Sequence, residues 1–133
     1  SPGGVPRLPG VIITSYDLAV GQEACHVVPG LKRGDSVEWS LDEVHGLTVD
    51  VTVVLRSPCR LHAARRLRDT ERTSSCRDTF TVTDEFGQEQ LPLTLEIQFS
   101  NEFSWWAAKC VRLRFCRAEQ TLNLTTAHRK ANR

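Results

Sequence analysis

The stretch that decides the fold is Leu47-Thr-Val-Asp-Val-Thr-Val-Val-Leu-Arg56. Its apolar residues stand at every second position from Leu47 to Leu55, and mostly polar residues stand between them. Side chains alternate between the two faces of a β-strand, so this pattern places one face in a core and the other mostly in water. Such a strand is typical of an antiparallel sheet, because an antiparallel sheet can leave one face solvated.

The same alternation recurs on both sides of this stretch. It is clear in three further segments, Val37–Leu41, Leu93–Phe99 and Val111–Phe115. Shorter β-prone runs cover residues 11–20, 23–28 and 79–83. Pro29-Gly30 is predicted to end the second of these runs, and His45-Gly46 is predicted to form a hairpin turn before the deciding stretch.

Seven or eight short strands at this spacing predict an all-β fold, an antiparallel β-sandwich with a jelly-roll-like arrangement. No segment shows the length and period of the crossover helix that a parallel sheet would need. The domain is predicted over residues 11–120. It follows a Pro- and Gly-rich flexible leader, residues 1–10, and precedes a frayed tail, residues 121–133.

The composition sets limits on function. A chain of 133 residues, 40% of them hydrophobic and 25% charged, suits one globular domain with a core. A formal net charge of +1 argues against a nucleic-acid binder that works through its overall charge. No apolar run approaches the ~20 residues of a membrane span, so none is expected. We find no phosphate-binding loop, nucleophile elbow or paired-carboxylate motif, and therefore expect no enzyme, no cofactor and no metal site.

One segment is strongly basic. Between Arg56 and Arg77 seven arginines accompany two acidic residues, a local charge of +5. Residues 57–77 show no strand pattern and are predicted to form a basic insert loop, with at most a helical turn or two near its start. Guanidinium groups suit phosphate and carboxylate, so we expect an acidic lipid headgroup or an acidic protein as ligand; a solvated loop is the alternative. The candidate residues are Arg60, Arg65, Arg66, Arg68 and Arg72.

Trp105 and Trp106 are further candidates for partner binding. If they lie on a strand, one side chain points inward and the other outward. An outward Trp can anchor a protein partner or a membrane interface. The alternative is that both pack across a turn.

The cysteines favour a reducing compartment. Their number is five, which is odd, and none stands in a C-x-x-C pair of the kind that binds zinc. Cys59 and Cys76 flank most of the basic segment and can close it if oxidised. The adjacent pair Cys25-His26 suggests a nucleophile and its base, but neighbours on a strand face apart, which favours a structural interpretation.

Residues 99–115 read Phe-Ser-Asn-Glu-Phe-Ser-Trp-Trp-Ala-Ala-Lys-Cys-Val-Arg-Leu-Arg-Phe. This stretch resembles the closing strand pair of the GOLD (Golgi dynamics) domain family. In that family an apolar strand ends in Phe-Asp-Asn, a turn with aromatic or polar residues follows, and a Lys precedes an alternating strand that begins with Val. The residues that match are Phe99, Asn101, Phe103, Ser104, Lys109 and Val111, and Trp39 resembles a Trp of an early strand. Ser100 departs from the pattern, which has Asp there.

The resemblance implies a non-catalytic protein-interaction module that acts in membrane trafficking or organelle attachment. Its partner would be a protein, with an anionic phospholipid as an accessory contact. Lumenal members join an early cysteine to one just before the Phe-Asp-Asn, but Gln98 occupies that second place here. The cytosolic branch is therefore implied, in the cytoplasm and peripheral to Golgi or endosomal membranes. The alternative is a lumenal or secreted sandwich that recognises a cargo protein or carbohydrate and carries a glycan on Asn123.

Two residues of the matching stretch have a structural interpretation of their own. Asn101 is a turn former and is expected to cap the turn after Phe99 enters the core. Lys109 is expected to lay its stem over apolar surface and to keep its charge in water.

Overall fold

The computed structural model describes residues 10–58 and 64–118. Within these ranges the elements, in chain order, are β1 (Val11–Leu18), β2 (Glu23–Leu31), β3 (Ser36–Glu43), β4 (Val49–Arg56), β5 (Arg65–Thr73), β6 (Ser75–Thr81), a 3₁₀ turn (Gln88–Gln90), β7 (Leu93–Ser100) and β8 (Lys109–Ala118). Nearly all of the predicted leader, the whole predicted tail, Cys59 and Arg60 lie outside the described residues.

The strands form two antiparallel four-stranded sheets. The first has the order β1-β8-β3-β6 and the second has the order β2-β7-β4-β5. Successive strands change sheet at every connection except the one from β4 to β5, which is the winding of a double-sheet jelly roll. The predicted all-β, antiparallel, jelly-roll-like sandwich is confirmed.

The core lies between the two sheets and is built from the alternating residues. On β4 and β7 every second side chain is buried, and those between are mostly half-buried. Each fully buried Val, Leu, Ile or Phe stabilises the fold by roughly 1.5–3 kcal/mol relative to exposure. The core residues supplied by these two strands are Val49, Val51, Val53, Leu55, Leu93, Leu95, Ile97 and Phe99; Trp39, Leu113 and Val111 face them from the other sheet.

Two predicted chain reversals are wrong. His45-Gly46 does not join a hairpin, because β3 pairs with β6 and β8 whereas β4 lies in the opposite sheet. An alternating strand buries its apolar face equally well in either sheet, so the pattern alone does not fix its partner. Pro29-Gly30 does not end β2, which continues to Leu31 after a register shift. Proline is tolerated there because β2 is an edge strand and its missing N–H leaves no ladder bond unmade.

The predicted basic insert loop is also wrong over most of its length. Arg65–Thr73 forms β5 and Ser75–Thr81 forms β6, each at an edge of its sheet. An edge strand pairs on one side only, and edge strands often carry charge that discourages pairing with another chain. The pairing of β5 with β4 also shifts register twice, which removes the period-2 signal from the sequence.

Candidate functional site

Four connections between strands meet at one end of the sandwich. They are residues 19–22, 44–48, 74 and 101–108. Backbone hydrogen bonds tie them together: Asn101 donates to Gln22, and Glu43 donates to Ser74 at 2.8 Å. We call this end, with these four connections, the tip.

Asn101 is the centre of the tip and is fully buried. Its side-chain amide donates to the carbonyl oxygens of Ala107 at 2.9 Å, Ala19 at 3.2 Å and Leu18 at 3.4 Å. Its backbone carbonyl accepts hydrogen bonds from Gly21 and Ser104. The residue therefore joins the connection 101–108 to the end of β1, as expected of a turn cap.

Lys109 departs from the expectation that its charge lies in water. The residue is 6% exposed, and its Nζ donates to Oδ1 of Asn101 and to the carbonyl of Thr48, both at 2.8 Å. The ammonium also lies 4.4 Å from the ring centre of Phe103, and the guanidinium of Arg72 lies 3.7 Å from it. Burial removes water from the ammonium group, and two oxygen acceptors and an aromatic face take the place of that water.

Glu43, which the sequence did not single out, fixes the connection 44–48. Its buried carboxylate accepts backbone hydrogen bonds from His45 at 2.6 Å, Leu47 at 2.9 Å and Cys110 at 2.8 Å. Burial acts to raise the pKa of this carboxyl, but the three N–H donors outweigh it, so the pKa lies below its ordinary value. An ionised Glu43 thus ties the connection 44–48 to the beginning of β8.

Trp105 and Trp106 project from this framework. They lie on the turn between β7 and β8 and not on a strand, so the expected inward–outward alternation is wrong. Their exposed fractions are 84% and 76%, and the alternative that both pack across a turn is wrong as well. The turn itself is closed by Ser104, whose hydroxyl donates to the carbonyl of Ala107 and accepts from its N–H. The indoles therefore extend into solvent from a rigid base.

Other exposed apolar side chains lie beside them. Val20 belongs to the connection 19–22 and Val44 to the connection 44–48, with exposed fractions of 44% and 43%. The four tip connections contain no Lys or Arg, and Glu102 is their one carboxylate. The tip is therefore an apolar, nearly uncharged projection.

The four candidate arginines that the structure describes lie along β5, and three of them face acids. The ion pairs are Arg65 with Glu85, Arg68 with Glu71 and Asp78, and Arg72 with Asp50. Arg66 is exposed and makes no ion pair with a described residue. Acids from outside the segment thus offset part of the charge of its described residues, and its binding of acidic lipid or protein stays a prediction.

No protein-family model matches the chain, and no curated protein matches it. Among solved structures it is similar to the Yersinia pseudotuberculosis-derived mitogen (YPM), with 13% sequence identity and a TM-score of 0.47. That similarity covers 82% of this chain and 86% of the mitogen chain.

The adjacent Cys25 and His26 are not arranged as a nucleophile and its base. Cys25 is exposed on the outer face of β2, and burial together with the Glu96 carboxylate raises the pKa of its thiol. His26 turns inward, where Nδ1 lies 2.6 Å from the hydroxyl of Tyr16. Burial lowers the pKa of His26. Strand geometry therefore separates the two groups, and within the described ranges no cluster of His, Cys, Asp and Glu could hold a metal ion.

Burial also argues against a reactive thiol at Cys76. It raises the pKa of this thiol to about 11, so the group is protonated at neutral pH. The proposed bridge to Cys59 involves a residue outside the described ranges. The described residues also contain no helix with the length and apolar character that crossing a bilayer requires.

Proposed function

We propose that the chain is a non-catalytic interaction module of the GOLD type that acts in membrane trafficking or organelle attachment, on the cytoplasmic side of Golgi or endosomal membranes. The tip carries this proposal. Two adjacent tryptophans that are mostly exposed and held on a rigid turn are costly to leave in water and mark a binding surface.

Four of the residues that resemble the GOLD pattern, Asn101, Phe103, Ser104 and Lys109, build or support this turn. Asn101 and Ser104 close it by hydrogen bonds, and Lys109 links it to the connection 44–48. Phe103 packs beneath two cations. These residues hold Trp105 and Trp106 out in solvent, which supports a binding role for the two tryptophans.

A second surface suits the protein partner. Strand β1 is an edge of its sheet, and Val11, Ile12 and Ile13 are 63%, 52% and 56% exposed. Its register with β8 is unbroken over eight residues, and its first charged residue is Asp17. Register shifts and arginines on β5 hinder the pairing of that edge with another chain, whereas β1 has no register shift and no arginine. We therefore assign β1 to an extended apolar segment of a partner protein, added as a further strand.

The organelle role is tested by location in cells. In the tagged full chain, changing both Trp105 and Trp106 to Ser is expected to disperse a Golgi or endosomal signal into the cytosol. Val27→Ser is a matched control, since Val27 is 50% exposed on β2, outside the tip. A wild-type chain that shows no organelle signal, or a double variant that keeps it, contradicts the proposal.

The edge assignment is tested by photo-crosslinking. A benzoylphenylalanine in place of Ile13 is expected to capture a second protein in cells through an apolar segment. The same probe in place of Glu38, which is exposed on the central strand β3, is expected to capture none. A product of twice the chain's mass would assign β1 to a second copy and end the partner proposal.

A further inference from the structure

We propose that the tip inserts into the interface of a lipid bilayer of low surface charge, with Trp105 and Trp106 as its anchors. This inference rests on the proposed function, because it names what the tip attaches to. It concerns a different surface and a different lipid from the acidic contact predicted for the arginines.

The placement of the apolar side chains suits a flat lipid surface. Trp105 and Trp106 come from one turn, and Val20 and Val44 come from two neighbouring connections of the same end. Trp is enriched at bilayer interfaces because its ring is apolar and its N–H can still meet water. Several loops at one end of a sandwich can enter the headgroup region of a bilayer together. A pocket on a protein partner would suit anchor side chains clustered at the centre of the contact.

The charges at the tip indicate which bilayer. The four connections carry one carboxylate and no Lys or Arg. Two cations contact Phe103 of the tip, and both have partners: Lys109 is buried against Asn101 and Thr48, and Arg72 pairs with Asp50. The four connections therefore offer no Lys or Arg to anionic headgroups, and binding depends on apolar and aromatic contact. A zwitterionic surface such as phosphatidylcholine matches this chemistry.

The framework under the tryptophans favours insertion without refolding. Asn101 makes three side-chain donations, and Ser104 closes the turn around the indoles. A turn already fixed in its bound shape loses little conformational freedom on binding. The exposed side chains of the tip can then make the interfacial contact while the two sheets stay in water.

The test uses the full chain and vesicles of phosphatidylcholine. Wild type is expected to co-sediment with these vesicles and to shift its tryptophan emission to shorter wavelength. Trp39 is buried, so the shift reports Trp105 and Trp106. Changing both to Ser is expected to weaken vesicle binding at least about tenfold and to leave the unfolding midpoint unchanged. Val27→Ser is expected to bind as wild type does.

Three results would overturn the inference, and comparison with the cell experiment separates its failure from that of the proposed function. If wild type does not co-sediment with phosphatidylcholine vesicles, the tip does not insert into such a bilayer. Binding that needs phosphatidylserine and disappears at high salt assigns the lipid to free arginines such as Arg66. If Val27→Ser weakens vesicle binding as much as the double variant does, the chain adheres to vesicles through exposed apolar residues in general and not through the tip. If vesicles fail but the double variant still disperses in cells, the proposed function stands with a protein at the tip. If vesicles bind but cellular location is unaffected, the lipid contact stands and the proposed function falls.

Discussion

Replacing Asn101 by alanine is expected to lower the free energy of unfolding by about 3 kcal/mol. The change removes the amide group that three carbonyl oxygens share, one of them fully buried, and the acceptor that Lys109 uses. Each buried polar group left without a partner costs roughly 1–3 kcal/mol. The buried ammonium of Lys109 would keep only the carbonyl of Thr48 and the ring of Phe103.

The measurement is urea unfolding at neutral pH, followed by circular dichroism. Glu102→Ala is the matched control, because Glu102 is next along the same turn and its side chain is exposed. Surface changes of this kind are expected to stay within about 0.5 kcal/mol. An Asn101 variant that loses less than about 1 kcal/mol would show that the amide does not hold the tip together.

The alternation of apolar residues was enough to predict the strands of the core. In β4 and β7 the residues at every second position are buried, because the period of a strand is two in any sheet. The same signal says nothing about which strands pair. The connection at His45-Gly46 therefore looked like a hairpin although it joins the two sheets.

The edges could not be predicted in this way. Strand β5 has charged residues on both faces and two register shifts, so its sequence carries no period. The charge of +5 counted along the segment from Arg56 to Arg77 also leaves out acidic residues that lie beside it in the folded chain. Arg68, for example, meets Asp78 of the other sheet, and only the folded chain brings those two residues together.

The tip was predictable in part. Turn chemistry predicted the capping role of Asn101, and the adjacency of Trp105 and Trp106 marked them as candidates. The burial of Lys109 was missed because its acceptors include a carbonyl 61 residues away in the chain. Glu43 was missed because it reads as one more acid at the end of a polar-faced strand. The glycine three residues after it is the one local sign of a tight connection.

Replacing Glu43 by glutamine is expected to destabilise the domain by about 2 kcal/mol at neutral pH, and by less as the pH falls. One carboxylate oxygen accepts the N–H groups of His45 and Leu47 and the other accepts that of Cys110, so an amide turns its NH2 group toward at least one of these three donors. The folded-state pKa of Glu43 lies below its ordinary value of 4.5. Its stabilising contribution is therefore complete above about pH 4.5 and is lost as the pH falls through the folded-state pKa.

Glutamine does not titrate, so the difference in unfolding free energy between wild type and Glu43→Gln reports this carboxyl alone. We expect the difference to hold from pH 7 to about pH 5 and then to shrink as the pH falls further. Glu38→Gln, at an exposed position of the same strand, is expected to change stability little throughout. A Glu43→Gln deficit that is the same at pH 3 as at pH 7 would mean that the ionised carboxylate does not hold the connection 44–48 against β8. In that case the three hydrogen bonds from backbone N–H groups would depend on the position of the Glu43 side chain and not on its negative charge.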